Sequence, residues 1–256
     1  MIDLQVIFLF LIGISIGSFL NVLIDRIPSG ISPIYGRSKC DFCHKTLPSF
    51  DLIPLFSFFY LKGRCRFCRK RLSWQYPFIE ALSGIILIAV YFLFHDNWWM
   101  VIFNSVLLYS FLVIFVTDLK YRIIPDEINI SLLILIVINI IVGGGSVREL
   151  LFAFISGFIF FLFFMLLFIV TKGRGIGLGD AKLSFVIGFL LGFPKVVVAF
   201  YLAFLTGAFI SLILILMGKK TMKSKIAFGP FLVYGTLVSF FFGSQILDIF
   251  KKLLFL

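Results

Sequence analysis

Eight apolar runs constrain this chain more than anything else in it. They occupy residues 4–24, 77–94, 98–117, 128–142, 150–170, 181–193, 196–217 and 230–247. A hydrocarbon core about 30 Å thick takes roughly 20 helical residues to cross. Inside lipid each backbone N–H must find its partner within the segment, so such runs are expected to be helices. Hydrophobic residues make up 61% of the chain and mean hydropathy is +1.15, whereas soluble domains hold about 45–50% apolar residues. The first run lacks a preceding basic stretch and a small-residue cleavage site, so it reads as a retained helix.

The net charge of +11 raises the possibility of a nucleic-acid partner, and its placement argues against one. With the N-terminus outside, nineteen of the 23 Lys and Arg residues fall in inside loops, and only Arg148, Lys195, Lys251 and Lys252 fall outside. That asymmetry is the positive-inside pattern, which makes the basic loops cytoplasmic. The run 181–193 is short and is ended by Gly192, Pro194 and Lys195. If it were re-entrant, 18 basic residues would lie inside and 5 outside, and Asp118 and Asp180 would still share the cytoplasmic side.

Residues 25–76 form the one long polar stretch and hold all four cysteines, as Cys40-Asp-Phe-Cys43 and Cys65-Arg-Phe-Cys68. The text nearly repeats, with Cys-Asp-Phe-Cys-His-Lys-Thr-Leu followed by Cys-Arg-Phe-Cys-Arg-Lys-Arg-Leu. Two such knuckles can set four thiolates around one structural zinc ion and leave no open position for water. Two disulfides are the alternative, disfavoured in a reducing cytoplasm. His44 is a substitute ligand or, more simply, a surface residue. A segment this small needs a staple. The expected fold is therefore an all-α polytopic membrane protein with about eight transmembrane helices and a small cytoplasmic zinc-binding insert after the first. Its parts are a first helix (1–24), the tetra-cysteine insert (25–76) and a multi-helix membrane domain (77–256).

Two carboxylates stand at the ends of apolar runs. Asp118 opens the break Asp118-Leu-Lys-Tyr-Arg-Ile-Ile-Pro125-Asp126-Glu127, and Asp180 follows Gly175, Gly177 and Gly179 at alternate positions. A carboxylate at hydrocarbon depth costs about 2.5–3.5 kcal/mol, which makes it a functional candidate. The glycines can take backbone angles closed to other residues and admit a second main chain. Paired carboxylates share a proton, so one can deprotonate water while the other polarises a carbonyl. Neither a Ser-His-Asp set nor HExxH is present as a competing machinery. The simpler readings pair Asp118 with Lys120 or Arg122 and make Asp180 a cap for a helix starting at Ala181. Asp126 rivals Asp118, but Pro125-Asp126-Glu127 has the form of a helix start.

With these motifs in hand, the chain resembles the prepilin peptidases (type IV leader peptidases), membrane aspartic proteases of the GxGD class. The matching stretches are Gly17-Ser-Phe-Leu-Asn21 with Arg26-Ile-Pro28, the twin Cys-x-x-Cys insert and Tyr76-Pro-Phe-Ile-Glu80. They continue through Asp118-Leu-Lys-Tyr-Arg-Ile-Ile-Pro-Asp126, Gly177-Leu-Gly179-Asp180-Ala-Lys182 and Phe228-Gly229-Pro230-Phe231. The resemblance implies catalysis by Asp118 and Asp180, while the structural zinc ligands Cys40, Cys43, Cys65 and Cys68 rest on the cysteine spacing itself. It further implies cleavage of the basic leader from type IV prepilins or pseudopilins at the cytoplasmic face of the bacterial inner membrane. It also implies N-methylation of the new N-terminal residue with S-adenosylmethionine, at residues the sequence does not identify. Gly177, Gly179, Gly229 and Pro230 are expected to support the substrate loop. Asn21, Arg26 and Glu80 match family motifs without an assigned role, Glu80 reading as charge support for a helix end. The expected partners are prepilin precursors and the lipid bilayer, with no nucleic acid. An ion-coupled transporter using the membrane aspartates is the alternative function.

Overall fold

In a computed structural model, residues 4–254 are described, apart from 174, 220, 222, 223 and 225. Arg174, Lys220, Lys223 and Lys225, counted above as inside charges, lie outside the described residues. The apolar runs become helices α1 (Leu4–Arg26), α3 (Gln75–Phe94), α4 (Trp98–Tyr121), α5 (Asp126–Val142), α6 (Val147–Val170), α7 (Leu178–Leu191), α8 (Lys195–Leu216) and α9 (Gly229–Leu254). A short α-helix, α2 (Phe56–Tyr60), and a 3-10 turn before it (Ser49–Leu52) lie in the polar insert. Among the described residues the only extended pairings are two isolated bridges in that insert.

Six helices (α1, α3, α4, α6, α8 and α9) are long and apolar enough to cross a membrane, and the chain is a multi-pass membrane protein. Helix α5, with 17 residues, and α7, with 14, are shorter than the roughly 20 a full crossing takes. Shortness in α7 goes with burial: eight of its residues, from Asp180 to Phe189, are buried. It packs against α5, α6, α8 and α9, so its ends need not reach water across lipid.

The chain forms two compact units, Met1–Val113 and Ile114–Leu256. In the first, α1 packs on α3 through small residues. A Cβ on Gly13 would stand 2.6 Å from Cα of Gly84, and one on Gly17 would stand 2.7 Å from Cα of Glu80. Lipid gives helices no hydrophobic reason to associate, so close backbone approach at such small residues has to supply it. In the second unit the same device joins α6 to α7, where a Cβ on Gly188 would meet Cα of Gly157 at 2.8 Å. It recurs between α9 and α8, where Gly235 lies against the carbonyl of Ala199.

The insert is pinned to the helices that flank it. Arg26 Nη1 donates to the carbonyls of Ser32 and Tyr35, and Nη2 donates to that of Arg37. Asn21 Nδ2 donates to the Tyr76 carbonyl at 3.1 Å, and the Tyr76 hydroxyl reaches the carboxylates of Asp25 and Asp41. Glu80 does not serve the end of α3. It is buried in the second turn, and its Oε2 accepts the backbone N–H of Leu55 at 2.8 Å. Leu55 has a φ of +61°, a costly angle for a residue with a side chain, and the buried carboxylate holds it there.

Candidate active site

Asp118 lies inside α4 and not at its end, because Leu119, Lys120 and Tyr121 carry the helix one turn further. The break comes at Arg122, whose φ is +57° and whose N–H donates to the Asp118 carbonyl. Asp180 is the third residue of α7, which starts at Leu178 and not at Ala181. Its Oδ2 accepts the N–H of Gly177 at 2.9 Å, half of a capping box. Capping and chemistry are therefore not exclusive readings here.

Both carboxylates are buried, with 5% of Asp118 and 7% of Asp180 exposed. They are near enough that the charge of Asp118 bears on Asp180, and Arg122 acts on Asp118 as a neighbouring cation. Two contacts bring their elements together. A Cβ on Gly179 would meet Cβ of Ile124 at 3.1 Å, so the start of α7 rests on the break after α4. One turn further, Lys182 Nζ donates to Asp126 Oδ2 at 2.6 Å and ties α7 to α5. Asp126 is thus a half-exposed ion-pair partner in the first turn of α5, in keeping with a helix start.

The glycines act through space and not through unusual angles. Gly177 is the extended residue before α7, with φ −81°; Gly175 sits against the Thr171 side chain, as Gly179 does against Ile124. Positive φ falls instead on Gly173. Gly229 approaches Asp118 directly: its N–H donates to Oδ2 at 2.8 Å. Pro230 follows in the first turn of α9, where a missing N–H costs nothing. Phe228 fixes this approach, its ring 5.1 Å from Phe204 and 6.2 Å from Phe164. The abundance of phenylalanine hides that role in the sequence.

Asn129 is a further candidate that the sequence alone does not single out. It is 4% exposed, and neither its Nδ2 nor its Oδ1 has a partner. An unpaired buried amide costs about 1–3 kcal/mol per group. Lying three residues after Asp126, it shares the face of α5 that meets α7. Its only sequence signal is an Asn in the first turns of an apolar helix.

In the insert, the sulfur atoms of Cys40, Cys43, Cys65 and Cys68 all lie within 4.8 Å of one another. Cys40 and Cys68 are 3.8 Å apart, close to the edge of a tetrahedron with metal–sulfur bonds of about 2.3 Å. The donor set thus fits a metal ion. The sequence repeat is also a structural one. His44 N–H donates to the Cys40 carbonyl, and Arg69 N–H donates to that of Cys65. His44 and Arg69 take matching φ values of +55° and +59°. The bridges Lys39–Thr46 and Arg64–Arg71 flank the two knuckles. Lys45 covers the Phe67 ring at 5.2 Å while Lys70 covers Phe42 at 4.8 Å, so each knuckle caps the other. His44 is exposed and stands outside the thiol cluster. The backbone N–H of Cys68 lowers the Cys65 thiol to about 7, while burial pushes Cys40 up to about 11.

Residues 11–94 match the Bacterial Peptidase A24 N-terminal domain family, and residues 105–212 match the Type IV leader peptidase family. A protein of Bacillus subtilis named prepilin leader peptidase/N-methyltransferase is 33% identical over 96% of this chain and 97% of its own length. Proteins of the same name from Aeromonas hydrophila and Burkholderia pseudomallei are each 28% identical, over 93% and 94% of this chain and 90% and 86% of theirs. No solved structure gives a significant match. With a relative 33% identical over nearly the whole of both chains, and family models matching residues 11–94 and 105–212, the chain belongs to the type IV leader peptidase family.

Proposed function

We propose that this protein cleaves the basic leader from type IV prepilins or pseudopilins at the cytoplasmic face of the bacterial inner membrane, with Asp118 and Asp180 as the catalytic pair. The observation that carries the reading is the convergence of two buried carboxylates from α4 and α7, each held by the backbone N–H of a glycine. The ionised carboxylate takes a proton from water, and the hydroxyl attacks the scissile carbonyl carbon. The protonated carboxyl gives its proton to the carbonyl oxygen. The gem-diol then collapses with a proton passing to the leaving nitrogen. The products are a leader ending in a carboxylate and a mature chain with a new amine. Gly177, Gly179, Gly229 and Pro230 support the loops beside which the substrate backbone lies. The unpaired amide of Asn129 offers that backbone one donor and one acceptor.

A pilin precursor carries an apolar helix behind its leader, so its cleavage point would sit at the interface where the broken helices open. The basic loops orient these breaks toward the cytoplasm. The insert is read as a structural zinc module on Cys40, Cys43, Cys65 and Cys68, following a first helix and preceding the membrane domain 77–256. Zinc there supplies folding energy and not chemistry, since four thiolates close its coordination. The relatives' names support a second reaction, transfer of a methyl group from S-adenosylmethionine to the new amine with loss of a proton. No residue is assigned to it. The transporter reading finds no support among the relatives.

The deciding experiment combines purified protein in detergent with a pilin-type precursor and follows the products by mass spectrometry. Leader loss is expected, followed by a methyl increment when S-adenosylmethionine is present. Unaltered cleavage by Asp180→Asn or Asp118→Asn would remove the assignment of the pair.

A further inference from the structure

The insert is polar in sequence, yet it presents aromatic rings to its surroundings. Phe56, Phe59 and Tyr60 of α2 are 62%, 61% and 69% exposed, and Trp74 just before α3 is 69% exposed. Two ring clusters on and beside α2 make up this aromatic patch. Phe56 stacks on Tyr60 at 5.9 Å, while buried Phe58 carries Trp74 on its ring at 5.0 Å and Phe59 at 5.9 Å. Burying apolar rings is what stabilises a small domain, and an insert that leaves these four open on and beside α2 has another use for them.

The depth of the patch is fixed by the Glu80–Leu55 bond. Glu80 is the sixth residue of α3, a helix apolar and long enough to span the membrane, and five residues of α-helix rise about 7.5 Å. Leu55, immediately before α2, is therefore level with the second turn of a membrane helix and not out in the aqueous phase. Tryptophan and tyrosine collect at that level, where the ring meets acyl chains and the polar edge meets headgroups. The charge agrees. Lys62, Arg64, Arg69, Lys70 and Arg71 are exposed in the stretch between α2 and Trp74, and the acids of residues 27–74 are Asp41 and Asp51, the second bound to Arg66. Basic residues close to an anionic leaflet are drawn to its surface.

We propose that α2 and Trp74 form an interfacial wedge: Phe56, Phe59, Tyr60 and Trp74 enter the headgroup region of the bilayer that holds the protein, and the surrounding Lys and Arg residues bind its anionic lipids. The insert lies on the membrane and does not project from it. This reading is independent of the aspartate pair and needs only that α3 crosses the bilayer.

The full chain in vesicles of phosphatidylcholine, with or without phosphatidylglycerol, tests this. The chain has three tryptophans, so Trp98→Phe with Trp99→Phe leaves Trp74 as the sole reporter. A second reporter, Phe59→Trp, is made with all three native tryptophans changed to Phe. Expected are loss of emission with lipids brominated high on the acyl chain, protection from aqueous acrylamide, and a blue shift that grows with phosphatidylglycerol. Quenching by acrylamide as free as that of a soluble indole overturns the wedge. Shielding from both quenchers also overturns it, since protein would then cover the patch. Identical spectra in the two vesicle types overturn the anionic-lipid part. Helix content equal to that of the wild type, by circular dichroism, shows that each reporter variant is folded.

Discussion

The backbone N–H of Gly229 donates to Oδ2 of Asp118 at 2.8 Å, across 111 residues of sequence. A Cβ at position 229 would stand 2.6 Å from that oxygen and 3.0 Å from its carbon. A methyl group there must push the carboxylate aside. Displacing a reacting group by about 1 Å can cost roughly 10²-fold in rate. Gly229→Ala is expected to lose cleavage on that scale while its membrane insertion and metal content stay as in the wild type. A Gly229→Ala protein that cleaves at the parental rate in a timed precursor assay would show that the bond does not position Asp118.

Asp126 and Asp118 are eight residues apart and chemically alike, yet their surroundings differ, Asp118 being buried and Asp126 not. Asp126 is about half exposed and pairs with Lys182, itself 42% exposed. Pairs of this kind contribute about 0.2–1 kcal/mol. Asp126→Asn and Lys182→Ala are expected to slow cleavage only modestly, whereas Asp118→Asn abolishes it. Comparable initial rates for the Asn variants at 118 and 126 would mean that the wrong carboxylate has been assigned.

Four thiols facing one another inside 4.8 Å predict one tightly held metal ion per chain. Freshly reduced wild type should contain about one zinc by metal analysis. Its cysteines should react with thiol reagents only after chelation. Cys40→Ser and Cys65→Ser should each lose the ion, because either change opens the set of four. Protein prepared in reductant and found metal-free would leave the paired knuckles without their staple.

Local pattern made some of this legible and left the rest dark. The helices are readable from apolar run length, and their ends fall within about three residues of the runs, except where α4 and α9 run on through 118–121 and 248–254. The knuckles were readable because cysteine spacing repeats in the text. What stayed hidden is held by contacts between distant residues. Nothing near Glu80 announces a bond to Leu55, and nothing near Phe228 announces the rings of Phe164 and Phe204. The glycines before Asp180 look like hinges, but Gly179 is small because Ile124 lies against it. A one-dimensional pattern records a missing side chain and does not record what occupies its place.

The Glu80–Leu55 bond also separates charge from hydrogen bonding. The carboxylate accepts one N–H from a residue held at positive φ, and a buried donor left alone costs about 1–3 kcal/mol. Glu80→Ala removes the acceptor, so the segment around Leu55 should open and be cut by added protease faster than in the wild type. Glu80→Gln keeps a carbonyl oxygen in nearly the same place and should protect the segment almost fully. A helix-dipole role, in contrast, would make the two variants equally damaging, because both discard the negative charge. Limited proteolysis of the three proteins side by side, with fragments located by mass, distinguishes these cases. Equal cutting of Gln and Ala variants would return Glu80 to electrostatic support and free Leu55 from its anchor.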